Sequence, residues 1–154
     1  MRSIVDDELI SGTCWVADIE HHYKASAADI WPWLAQMGKN SAGWYSYDWI
    51  DNLGRPSLNY IDPERQAVKT GQPVSIFTVA NFEKDKFITL SIGDRCNMTW
   101  LLVPSENGCA LFTRLRVRGP KTFLTFTLGP AHNFMQQKQF LELEKRLSSQ
   151  QSKN

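Results

Sequence analysis

Beyond Gly71 the chain carries four short runs rich in β-branched and aromatic residues, at 74–79, 87–92, 98–103 and 110–117. Polar or glycine-containing breaks at 81–86, 93–94 and 104–108 separate them. Each run has the length of a strand and each break that of a hairpin, so the spacing predicts an antiparallel meander. A meander must have one face covered by something else. The candidate cover is a final helix, read as starting at Gly129-Pro130 and running to about Ser148. Lys145 and Arg146 sit near its C-terminal end, where the helix dipole favours cations. Its apolar residues change face along its length. Ala131, Phe134, Met135 and Leu141 form one side, and Phe140, Leu143 and Leu147 another. A helix whose first half covers a cavity and whose second half packs on core has this pattern. The stretch 122–128, before that helix, is apolar but irregular and reads as an edge strand or a flap.

Upstream of the meander, Trp15, Ala17, Ile19, His21 and Tyr23 alternate with Val16, Asp18, Glu20 and His22. Period two with one mainly apolar face predicts a half-buried strand. Ser26 and Asp29 are spaced as a capping box, and Ile30, Trp33, Leu34 and Met37 follow at helical spacing up to Gly38. Pro32 leaves two starts open, one capped by Ser26 with a bend, the other capped by Asp29. A loop is expected at 39–43. Ser46 then caps a short helix holding Trp49, Ile50 and Leu53 and closed by Gly54. Asp62-Pro63-Glu64 has the form of another cap. Residues 1–12 read as a loose arm, 13–148 as a single domain, and 149–154 as a polar tail.

Composition narrows the function classes. Seventeen basic against sixteen acidic residues give a net charge of +1, so no global field attracts nucleic acid or an anionic membrane. Three distant cysteines form no C-x-x-C pair and read as reduced thiols. The acidic N-terminus is unlike a signal peptide, and no run approaches the ~18 apolar residues of a membrane span. A soluble, cytoplasmic protein is expected. G-x-S-x-G, H-E-x-x-H, P-loop and G-x-G-x-x-G patterns are all missing, so no metal, nucleotide or other cofactor is expected.

Four of the six tryptophans, Trp31, Trp33, Trp44 and Trp49, fall in the window 31–55 with Tyr45, Tyr47, Asp48 and Asp51. Residues 28–38 (ADIWPWLAQMG), 42–54 (AGWYSYDWIDNLG), 61–66 (IDPERQ) and 113–115 (TRL) together resemble the SRPBCC superfamily. This group contains START lipid-transfer domains, Bet v 1-like proteins and polyketide cyclases. The similarity spans roughly 13–148 and is closest to bacterial members with a W-Y-S-Y-D-W segment. It implies an α+β helix-grip fold: a curved antiparallel sheet wrapped around a long C-terminal helix, two short helices after the first strand, and an apolar cavity between sheet and helix. It does not choose among carriers, receptors and enzymes. An iron-dependent oxygenase branch needs two His and a carboxylate, whereas this chain has only His21, His22 and His132, the first two on opposite strand faces.

Two readings of function follow. The first is a protein that binds a small, largely hydrophobic molecule in the cavity. Trp33, Trp44, Tyr45, Tyr47, Trp100, Phe134 and Met135 are its candidate wall, with Trp33 and Trp49 mainly as core anchors. The second is a cofactor-free cyclase, dehydratase or isomerase using Asp48 and His21 for proton transfer. Each of these residues also has a structural reading: Asp48 at a helix start, His21 as a core histidine bonded to a carbonyl. Arg114, Arg116 and Arg118 share one strand face. They face solvent, or, with the opposite curvature, Arg114 binds a ligand carboxylate.

Overall fold

The computed structural model describes residues 4–38 and 42–152, so most of the loop expected at 39–43 and the chain's extreme ends lie outside the described residues. The element order is a 3-10 turn Asp7–Leu9, β1 Cys14–Tyr23, α1 Ala27–Gln36, α2 Asp48–Asp51, a 3-10 turn Pro63–Arg65, β2 Pro73–Val74, β3 Phe77–Glu83, β4 Phe87–Ile92, β5 Cys96–Ser105, β6 Gly108–Arg118 and α3 Lys121–Gln151. The strands form one antiparallel sheet in the order β1-β6-β5-β4-β3-β2. This is the helix-grip fold that the meander and the final helix predicted.

Register assigns each side chain to a face. His21 and Tyr23 meet Phe140 of α3, His21 by ring stacking at 5.3 Å and Tyr23 by donating its hydroxyl to the Phe140 carbonyl at 3.2 Å. Their face is therefore the inner one. It continues through Leu111, Thr113, Leu115 and Val117 on β6, then Met98, Trp100 and Leu102 on β5, then Ile88, Leu90 and Ile92 on β4. The core sits between this face, α1 and the second half of α3, with Trp33, Trp100, Tyr45, Phe140 and Leu143 almost wholly buried.

The start of α1 is settled by its cap. Ser26 Oγ accepts from the Asp29 amide at 3.2 Å while the Asp29 carboxylate accepts from the Ser26 amide at 3.0 Å. Pro32 is thus inside the helix and removes the bond to the carbonyl of Ala28, an exposed residue.

Three expectations change. Ser75 takes φ 58°, so the first predicted strand of the meander splits into β2 and β3, and β3 runs on to Glu83. The stretch 122–128 is neither strand nor flap but the first turns of α3, which begins after Gly119-Pro120 and continues through Pro130. Threonines are poor helix formers, but Thr125 and Thr127 donate their hydroxyls to the carbonyls of Lys121 and Phe123, both at 2.8 Å. Finally, residues 4–10 are not loose. Ile4 and Ile10 are buried against the outer face of the sheet, and Asp7 pairs with Arg114 at 2.7 Å.

Glycine is required at Gly108, which opens β6 at φ 140°. A Cβ there would collide with the Tyr23 carbonyl of the neighbouring strand. The obstacle is backbone and cannot rotate away. Gly108→Ala is expected to cost about 2–4 kcal/mol of stability by strain and lost β1–β6 pairing. Urea unfolding with an unchanged m-value would measure it.

Candidate ligand-binding site

The space between the inner face and α3 has a filled end and an open end. At the filled end Trp44 stacks on Trp100 at 6.4 Å and meets Phe77 edge-on at 5.9 Å. Gln139, on the inward side of α3, ties these rings together. It accepts from Trp100 Nε1 at 3.3 Å and from Gln136 Nε2 at 2.6 Å, and donates to the Trp44 carbonyl at 2.7 Å. The void left there is about 40 Å³, lined by Leu34, Met37, Val74, Val79, Ile88 and Trp100 among others. It has room for a water or two, whereas ligand pockets run to about 300–1,000 Å³. A cleft of about 370 Å³ lies elsewhere, beside Trp31 and Pro32 at the surface, and is half open to solvent.

The open end lies toward Trp15. Ala17 and Ile19 of β1, Ile92 of β4, Met98 of β5 and Val117 of β6 all hold inner-face positions, yet each is only half-buried. The first half of α3 does not seal this area. It touches Trp15 through Gly129 and through His132, whose ring meets Trp15 edge-on at 6.5 Å. It also presents Phe123 and Phe126 to solvent.

Several expected site residues serve the framework. Trp33 is buried and donates to Gln150 Oε1 at 3.3 Å. Tyr45 donates to the Trp33 carbonyl at 3.2 Å, accepts from Gln36 at 3.0 Å and lies under the Arg146 guanidinium; burial pushes its pKa well above the usual phenol value. It is a core tyrosine rather than a residue of the cavity mouth. Tyr47 stacks on Phe134 at 4.9 Å with Lys138 over its ring, and Phe134 is 62% exposed, so this pair lies outside the space it was expected to line. Met135 is half-buried and its carbonyl accepts from Ser46; the N-cap position of α2 is Tyr47, with no side-chain cap bond, so Ser46 does not cap it. Trp49 is 74% exposed and anchors nothing.

Asp48 and His21 do not form a catalytic pair. Asp48 clamps Ser57, accepting from its amide at 2.9 Å and from its hydroxyl. His21 sits between Phe140 and Tyr23, with Glu144 at 3.6 Å. Asp51, three residues on from Asp48, has its pKa raised first by burial and then by the Asp48 charge. Arg114 is on the outer face, bonded to Asp18 and Asp7 beneath the N-terminal arm, so it does not reach the space between sheet and helix.

Sequence reasoning missed His132, Gln136 and Gln139, which lie at i, i+4 and i+7 and are all buried on the inward side of α3. The signal was their helical spacing, hidden once the helix was read by its apolar residues alone. Burial lowers the His132 pKa below the usual histidine value. The folded state therefore binds this proton less readily than the unfolded chain, and stability falls as pH drops through and below about 6.5. His132→Leu is expected to flatten the unfolding free energy between pH 7 and 5 relative to wild type, as read by urea titrations at each pH.

No protein-family model matches the chain, and no curated protein sequence matches it. Solved structures do. A protein from Rhizobium leguminosarum superposes with a TM-score of 0.55 at 12% identity, over 89% of this chain and 96% of that one. MLL2253 from Mesorhizobium loti gives 0.54 at 17%, over 87% and 97%. DynU16, a protein of the dynemicin biosynthetic locus, gives 0.54 at 13% over 84% of this chain; the match takes in 47% of DynU16, about half its length. At these identities the likeness is one of fold: the chain has a helix-grip fold.

Proposed function

We propose that the protein binds a small, largely apolar molecule between the inner face of the sheet and α3, at the end near Trp15. One observation carries the reading. Beside the buried Trp15 and Leu115, the inner-face residues Ala17, Ile19, Ile92, Met98 and Val117 stay half-buried, while the opposite end of the same space is closed by Trp44, Trp100 and Gln139. Apolar surface left open beneath a covering helix is stabilised by an apolar guest, at about 25 cal/mol per Å² removed from water.

The test is native mass spectrometry of freshly purified protein, with Ala17→Trp as a plug for the open end. Wild type is expected to carry an extractable apolar molecule, or to bind the uncharged dye Nile red, and the folded Ala17→Trp variant to lose both. A wild type that retains nothing and does not brighten the dye defeats the proposal. Asp48 and His21 engage separate partners, Ser57 and Phe140, so no contact joins them in support of the cyclase-like alternative. The likeness to DynU16 is of fold and brings no activity with it.

A further inference from the structure

Building on the binding site proposed above, we infer that its ligand is an apolar molecule bearing one uncharged hydroxyl or carbonyl group, engaged by His132 Nε2. His132 is 9% exposed, and its Nε2 is buried with no hydrogen-bond partner. A buried polar atom without a partner costs stability, and its natural completion is a ligand atom. Its neighbours on the same helix face bond elsewhere, Gln136 to Gln139 and Gln139 to Trp100 and Trp44. Trp15, edge-on to the imidazole, opens the strand whose next inner-face residues, Ala17 and Ile19, are half-buried. The orphan nitrogen therefore lies beside the Trp15 end rather than the filled one, and a guest reaches it by displacing the groups that now close it off from water.

The group it meets is neutral. Inner-face positions of β1, β4, β5 and β6 hold no Asp, Glu, Lys or Arg, and α3 carries no such residue from Thr122 to Gln137. A carboxylate or ammonium entering here would lose its hydration with no counter-charge. The imidazole itself stays neutral, since burial disfavours its proton. Neutral imidazole either donates or accepts at Nε2, and so accommodates a carbonyl or a hydroxyl.

Three probes of one shape separate the possibilities: naphthalene, 2-naphthol and 2-naphthoate, titrated calorimetrically at pH 7.5. The wild type is expected to bind 2-naphthol about five- to tenfold more tightly than naphthalene, the range one added hydrogen bond gives, and 2-naphthoate least tightly. In His132→Leu the advantage of 2-naphthol should vanish while naphthalene affinity stays within about twofold; His132→Gln should retain part of it. In ¹⁵N-labelled wild type, 2-naphthol and not naphthalene should move the His132 Nε2 resonance, a readout independent of any variant's folding. Equal affinity for naphthalene and 2-naphthol, a naphthol advantage that survives His132→Leu, or an unmoved Nε2 resonance would each overturn the assignment while leaving an apolar site standing. Failure of all three probes to bind wild type would overturn the site itself.

Discussion

Replacing Arg114 by alanine is expected to lower the unfolding free energy by about 3 kcal/mol, the lower end of the range for breaking a buried ion pair from one side. Arg114 is 2% exposed, yet it is far from the inner space. Its Nε and one terminal nitrogen hold the two oxygens of Asp18, each at 2.7 Å, and the other terminal nitrogen holds Asp7 at 2.7 Å. Asp18 and Asp7 keep about a third and a quarter of their side-chain surface exposed, so water compensates part of the loss and the lower figure applies. Arg114 lies in a polar row that crosses five strands on the outer face: Asp18, Arg114, Thr99, Thr89 and Asn81 pair successively in register. Thr89 and Thr99 share a hydrogen bond at 3.0 Å, and Asn81 donates to Asp6 at 3.0 Å. The arm at residues 4–10 covers this row, so Arg114→Ala should also loosen the arm. Faster amide exchange at Asp7 and Leu9, together with a lower urea midpoint, is the expected pair of results. A variant within 0.5 kcal/mol of wild type would mean that the arm detaches readily and that Arg114 is solvated in practice.

The same arginine shows how far the sequence could be read. Alternation assigned Arg114, Arg116 and Arg118 to one face, and that face is the outer one, as the first of the two readings held. Alternation does not tell whether an outer face is wet. The acids that cover it, Asp6 and Asp7, lie more than a hundred residues away in sequence, and only the three-dimensional pairing joins them. Strand periods were legible because period two depends on local geometry alone, and β1 and β4 have the bounds that the sequence suggested. The first turns of α3 were not, because Gly129-Pro130 mimics a helix start and the threonines of 121–129 are poor helix formers, so the segment carries no helical signal of its own. For the site, the aromatic window marks the filled end of the space and the core beside it, not the end near Trp15 where binding is proposed. Tyrosine and tryptophan also build core corners, and Tyr45, bonded on both sides, is one. Trp100, read as part of a ligand-binding wall, lies on the inner face, where its role is to fill the space.

That filling role makes Trp100→Ala the most informative large change. The indole is 1% exposed, stacked on Trp44 and bonded to Gln139, and it borders the 40 Å³ void. Truncation removes its transfer free energy and leaves a cavity that the neighbouring strands cannot collapse, so a loss of about 3–5 kcal/mol is expected. The new space merges with the existing void, and cavities near 150 Å³ with apolar walls take up small aromatic molecules. Free indole fits both the shape and the vacated acceptor on Gln139. At ten times its dissociation constant it should therefore restore about 1.4 kcal/mol of stability to the variant and none to wild type. Trp49→Ala is the control, since Trp49 lies 74% exposed and its loss should change stability by no more than about 0.5 kcal/mol. Thermal unfolding of the three proteins with and without indole decides the matter. Rescue of Trp100→Ala alone would establish that the inner space can be reopened at its filled end by one side chain, so that its capacity for ligand is set by aromatic occupancy rather than by the spacing of sheet and helix. A variant that is strongly destabilised yet indifferent to indole would mean that Trp44 and Met37 fall into the gap, and that only the end near Trp15 is available to a guest.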